Sequence, residues 1–286
     1  MLWIIACTPP ETLTERRLWE TIVHLEDNNV VLVRMSQGNT GIYKGLTSLR
    51  LSKTMYQDGG PVNEPIEWVM RGTASDSLFT DQSVQIGSQS LTLEDGWNIR
   101  IRDSLHNVQA TLSNPLPSKI PLIETESWST DIHGIDMQTD GWLQMGEYSK
   151  PLRGRAILLE HFGNRVVHEP QERWVLFLQK GAVILEQSEH SITGFHSTIP
   201  TLSSPPNAPL KSGQDSQWDT LSLDIEEMTV LGTLDPHSHV SSIERTLSSS
   251  FYPTPELTIG QGVLTVTGPE TKYIARYLRL IRGDFN

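Results

Sequence analysis

The chain of 286 residues carries 22 Lys and Arg against 34 Asp and Glu, a net charge of −12, with 37% apolar and 20% charged residues. That length holds one large or two ordinary domains with a real hydrophobic core, and an acidic chain without a Lys/Arg cluster makes a poor partner for nucleic acid or anionic lipid headgroups. The single cysteine, Cys7, excludes an intrachain disulfide framework and a cysteine-based zinc cluster, and no apolar run reaches the roughly 18 residues of a spanning helix.

The N-terminus reads Met1-Leu2-Trp3-Ile4-Ile5-Ala6-Cys7 and then turns polar at Thr8-Pro9-Pro10. Ile4-Ile5-Ala6-Cys7 resembles a bacterial lipobox, so residues 1–10 read as a truncated lipoprotein signal with Cys7 as the lipidated anchor. That resemblance implies a periplasm-facing protein of a bacterial cell envelope. Six residues without Lys or Arg precede Cys7, where a signal peptide has a basic start and about 7–15 apolar residues. The alternative is a short buried strand with an inert thiol, in a cytoplasmic protein.

Pro10 to Glu20 is the one stretch with helical spacing; beyond it, period-two alternation dominates. Glu20–Leu25 and Val30–Met35 flank the turn Asp27-Asn28-Asn29. Trp97-Asn98-Ile99-Arg100-Ile101-Arg102 holds its apolar residues on one face, and the pattern resumes at Val108, Ala110 and Leu112. Trp174–Gln179 with Val183–Gln187, and Gly262–Thr267 with Tyr273–Leu280, repeat the hairpin pattern. Asn114–Pro121 and Thr198–Gln217 are proline-bearing connections. Many short strands joined by tight turns predict an all-β barrel or sandwich. A weak echo of tryptophan-led hairpins, Trp19 with Trp174 and Trp97 with Trp218, predicts two consecutive antiparallel barrels, 11–149 and 150–286.

Candidate chemistry concentrates in Arg153–Arg165. On a strand, Glu160 and His161 point to opposite faces, so one of them faces inward, and a carboxylate or imidazole at the end of an apolar strand suits proton transfer. Its competitor is an ion pair of Glu160 with Arg153, Arg155 or Arg165 at a barrel rim. Asp131 and His133 share a strand face as an acid–base or orienting pair, or serve as a loop pair near Gly134. Trp97, Trp128 and Trp174 are candidate ligand-lining aromatics, although most tryptophans belong to the core. His237 and His239 give only half a zinc site, and His190 and His196 carry no stronger signal, so no metal is expected. Nucleophile-elbow, phosphate-loop, dinucleotide and zincin motifs are all absent, and no cofactor is expected.

Three stretches, Trp19 into Leu25-Glu26-Asp27-Asn28, the hairpin Trp97–Leu112, and Gly154–Gly163, resemble the two-domain lipocalin-like family of carotenoid 1,2-hydratases and AttH-like proteins. The resemblance implies two calycin-type barrels, an apolar ligand, and Glu160 with His161 as the family's acid–histidine pair. Phe162-Gly163 stands where the family has Trp-Gly. The leading expectation is carriage of a lipid or isoprenoid-like molecule by a membrane-tethered protein. The alternatives are a hydratase or isomerase that protonates an alkene through Glu160 beside His161, and a structural lipoprotein presenting surfaces to other proteins.

Overall fold

The computed structural model describes residues 15–27, 29–40, 43–57, 60–124, 128–164, 172–177, 181–187, 192–197, 209–211, 217–218, 221–234, 257–267 and 272–281. Cys7, His190, His237 and His239 lie outside the described residues. The first sheet takes β1 (Glu15–Leu25), β2 (Val30–Thr40), β3 (Tyr43–Gln57), β4 (Gly60–Thr73), β5 (Ser77–Phe79), β6 (Ser83–Ile86) and β7 (Gln89–Leu93). It continues with β8 (Trp97–Arg102), β9 (His106–Ser113), β10 (Ile120–Glu124), β11 (Trp128–Met145), β12 (Tyr148–Pro151) and β13 (Gly154–Asn164). The second sheet takes β14 (Glu172–Phe177), β15 (Ala182–Gln187), β16 (Ile192–His196), β17 (Pro209–Lys211), β18 (Gln217–Trp218), β19 (Leu221–Leu234), β20 (Leu257–Thr267) and β21 (Lys272–Ile281).

In the first sheet the order is β4-β3-β2-β1-β13-β11-β9-β8-β7-β6-β5, with β10 and β12 paired to the two halves of β11. A 3₁₀ turn, Ala74–Asp76, joins the end strands β4 and β5, and β5 is further tied to β2 and β1, since Gln37 Nε2 donates to Ser77 Oγ at 3.5 Å and Arg17 donates to the Phe79 carbonyl at 2.8 Å. The sheet is thus a nearly closed antiparallel barrel. The second sheet runs β17-β16-β15-β14-β21-β20-β19-β18.

Alternation explains these strands. In β8, Trp97, Ile99 and Ile101 are buried while Arg100 and Arg102 are exposed, and Trp97 pairs with Leu112 as the hairpin pattern requires. The helical spacing of Pro10–Glu20 gives way to strand: β1 starts at Glu15 and is bonded on one side to β2 and on the other to β13. Both of its faces are buried, and a strand apolar on both faces imitates helical periodicity. Pro209 lies in β17, the last strand of its sheet, where a missing N–H costs nothing in the ladder.

Two cores follow from that double burial. Trp19, Val23, Val33, Leu51, Trp97 and Leu158 fill the barrel interior. On the opposite face, Ile22, Leu32, Ile157 and Leu159 pack against Val175, Phe177, Ile184 and Phe195 of the second sheet. β13, which the division at 149/150 assigns to the C-terminal half, is hydrogen-bonded on both sides within the first sheet, so the sheet boundary falls between Asn164 and Glu172.

Candidate active site at one end of the barrel

Three neighbouring strands bring the site together. β1 and β13 pair Trp19 with Glu160 and Arg17 with Phe162, and β11 pairs Asp131 with Glu160. Alternation along β13 points Glu160 into the barrel with Ala156 and Leu158, while His161 joins Ile157 and Leu159 on the outer face. Glu160 and His161 therefore do not form a working pair.

The imidazole that reaches Glu160 is His133. The β11–β13 register shifts between Ile132 and Gly134, which makes His133 the extra residue of a β-bulge. Bulges re-aim side chains. Here the His133 ring turns inward, with its Nε2 2.9 Å from Glu160 Oε2. Its ring centroid lies 4.3 Å from that of Trp19 and 5.5 Å from that of Trp97 in an edge-on arrangement.

Glu160 is only 4% exposed. Arg17 Nε donates to its Oε1 at 2.5 Å, and Arg17 also binds the Phe79 carbonyl and the Asp81 carboxylate, both at 2.8 Å. Lys119 Nζ lies 2.8 Å from Asp131 and 4.0 Å from Glu160, so it separates two carboxylates that the register sets directly opposite. Burial pushes the Glu160 carboxyl up, but the His133 hydrogen bond and the Arg17 guanidinium outweigh it and hold the group below the usual carboxylate range. The hydrogen bond from Lys119 to Asp131 outweighs its partial burial and raises the Lys119 ammonium above its ordinary value.

An ionised carboxylate only accepts hydrogen bonds, so the proton between Glu160 and His133 resides on His133 Nε2, and Nδ1 is the ring nitrogen that the carboxylate does not engage. The Trp19 indole N–H is buried beside it with no hydrogen-bond acceptor among the described residues. A buried unused donor costs about 1–3 kcal/mol, which an incoming oxygen would offset. Phe162, 57% exposed, and Asp81, which borders an open depression of about 470 Å³ together with Thr80 and Gln82, stand at the outer end of the same site.

His161 belongs to a separate buried network on the far side of β13. Thr130 Oγ1 lies 2.8 Å from its Nδ1, Glu20 Oε2 lies 3.5 Å from its Nε2, and Arg34 Nε reaches the other Glu20 oxygen at 3.2 Å. Of the ligand-lining candidates, Trp97, Asp131 and His133 gather around Glu160. Trp128 opens β11 opposite Gly163, and Trp174 lies on β14 of the second sheet. Arg17 and Lys119 escape sequence reading. For Arg17 a signal exists, since it alternates with the inward Trp19; Lys119 lies in a proline-bearing connection and has none. Among the described residues no three His, Cys, Asp or Glu side chains converge as metal ligands.

The fold is thus a nearly closed antiparallel barrel with an ionisable cluster at one end. No family model matches the chain, and no curated protein resembles it in sequence. Among solved structures it is similar to a putative AttH from Nitrosomonas europaea, at 11% identity over 98% of this chain and 96% of that one, with a TM-score of 0.57. CghA with Sch210972 matches at 8% identity over 94% and 88%, TM-score 0.52, and kievitone hydratase from Nectria haematococca at 11% over 98% and 94%, TM-score 0.47. The chain has the lipocalin-like fold of AttH-like proteins. The expected lipophile carrier is corrected by the barrel itself, whose interior is occupied by Trp19, Trp97 and the aliphatic residues around them.

Proposed function

We propose that the protein is an enzyme of hydratase or isomerase type whose proton-transfer group is His133, oriented and electrostatically supported by Glu160. The observation that carries this reading is the buried Glu160 carboxylate held between Arg17 and His133. This order of parts, a base whose second nitrogen is fixed by a carboxylate, is the general arrangement of an oriented acid–base histidine. Glu160 is not the acid: a carboxyl held ionised has no proton to give to an alkene. His133 Nδ1 takes a proton from one substrate atom or from water and returns it to another, and Glu160 stabilises the imidazolium formed in between.

A small organic substrate with a polar oxygen fits the site, since Arg17, Lys119 and the Trp19 N–H supply donors while Trp97 and Phe162 supply apolar surface. Tethering to a bacterial envelope through Cys7 is a further part of the proposal, supported by the Ile4-Ile5-Ala6-Cys7 pattern.

The test is deuterium incorporation from D₂O into a panel of enones, conjugated acids and their hydrated forms, read by mass spectrometry. The wild type is expected to label at least one class. His133→Gln and Glu160→Gln should each lose about 10²- to 10⁴-fold, and His161→Gln, if folded, should retain labelling. A folded wild type that labels nothing, or a His133→Gln protein that labels normally, overturns the reading.

A further inference from the structure

On the outside of the barrel, β8, β9, β11 and β12 pair without a register shift around Trp142. Their alternation sets one outward row in which Arg100, Gln109, Trp142 and Pro151 stand directly opposite one another, all exposed. Trp142 is 44% exposed although β11 is bonded to β9 on one side and to β12 on the other, so the indole stands in the middle of a sheet. Arg102 and Gln144, both opposite Asn107, extend the face by one step of alternation.

The carboxylates beside this face are already engaged. Asp140 lies 3.4 Å from Arg153 Nε, and Asp103, at the end of β8, takes the Leu105 and His106 amides and the His106 ring. Arg100 and Arg102 thus leave an uncommitted positive charge on the surface of a chain of net charge −12. We propose that this outer face binds an acidic oligosaccharide, with Trp142 as the platform for a sugar ring and Arg100 and Arg102 as the receivers of its carboxylates.

The C–H face of a pyranose ring is apolar and flat and lies on an indole, while a guanidinium accommodates a carboxylate through two parallel hydrogen bonds. The Gln109 and Gln144 amides both donate and accept, which matches sugar hydroxyls. Arg100 is two strands from Trp142, about 10 Å, and about 7 Å from Arg102, so the three groups serve neighbouring rings of one chain. Other partners fit less well. An extended peptide adds to a free strand edge, which β9 and β11 lack, and a helix needs a row of apolar anchors where this face has arginines and amides. Single-stranded nucleic acid stacks successive bases on several aromatics, and this row has one.

The experiment is calorimetric titration of the full chain with tetrasaccharides of galacturonate, mannuronate and hyaluronan, set against cellotetraose, oligoglutamate and oligoadenylate. At least one acidic sugar is expected to bind, and more tightly than cellotetraose. Trp142→Ala should raise its Kd at least about tenfold, and the double variant Arg100→Gln/Arg102→Gln should remove the preference for acidic over neutral sugar, as raised salt should weaken it. Both variants change exposed side chains, and unchanged melting temperatures will show that they fold. His133→Gln should bind the sugar as the wild type does. The proposal is overturned if no acidic sugar binds, if Trp142→Ala binds as the wild type does, if His133→Gln abolishes binding, or if oligoglutamate or oligoadenylate binds more tightly than every sugar.

Discussion

Between pH 8 and 12 the folded and unfolded chains hold different numbers of protons because of two side chains that touch. Folded Lys53 releases its proton near 8 because burial disfavours the ammonium, whereas the unfolded side chain keeps it to about 10.5. The unfolded state binds more protons in that window, so stability rises with pH, by on the order of 3 kcal/mol if the full shift is realised. Tyr148 works in the opposite sense: burial, reinforced by Asp27, pushes its phenol up to about 12, so above pH 10 the folded state holds the extra proton and stability falls. Denaturation midpoints at pH 7.5, 10 and 11.5 should pass through a maximum near 10. Lys53→Met should flatten the rise and Tyr148→Phe the fall; a wild-type curve that Lys53→Met leaves unchanged would contradict this account. At this scale the sequence is partly legible. Alternation shows that one of Glu160 and His161 faces inward, but a single strand does not say which face is the interior, and the family resemblance paired two residues that the sheet separates.

Among the elements, β11 decides where the chemistry lies, and it is the least legible. Its 18 residues pair with β13 through Thr139 and with β9 from Gln138, and the bulge between Ile132 and Gly134 aims His133 at Glu160. Period-two reading assumes no bulge, so Asp131 and His133 appear as a simple same-face pair. By contrast, the hairpin β8–β9 is legible to the residue, because its inward row of Trp97, Ile99 and Ile101 meets an equally regular partner. Strand crossings also dictate where glycine is needed. A Cβ on Gly154 would stand 2.1 Å from the His24 carbonyl oxygen, with no flexible group to yield, so Gly154→Ala should destabilise the protein by about 2–4 kcal/mol in urea titration. Gly146, at φ 60° with open space around it, should lose only about 1–2 kcal/mol as alanine. Equal losses at the two positions would refute the argument from close approach.

At the scale of the whole molecule, β1 and β13 serve two cores at once. Their inward residues line the barrel, and their outward residues, Ile22, Ile157 and Leu159, pack under Val175, Phe177, Ile184 and Phe195. Neither sheet can be loosened at that face without uncovering the other. Phe195, 1% exposed, is on the second sheet, and Phe195→Ala should cost about 3–5 kcal/mol. Hydrogen exchange should show amides of β1 and β14 losing protection together; loss confined to the second sheet would mean that the two unfold independently. The all-β character of the chain is readable from the alternation here. Which half owns β13 is not readable, because pairing at long range leaves no local pattern.

That long-range pairing also governs how the molecule is made. Leu25 pairs with Gly154 and Glu15 with Asn164, so one edge of β1 has no partner until almost the whole first sheet has been synthesised. At about 5–20 residues per second, a ribosome takes about 7 to 30 seconds to cover that distance. Throughout that interval the hairpins β1–β4 present an open, apolar edge of the kind that recruits other chains. Closure of the barrel is then a late, slow event set by chain topology, and survival of the nascent chain rests on whatever shields β1 until β13 arrives.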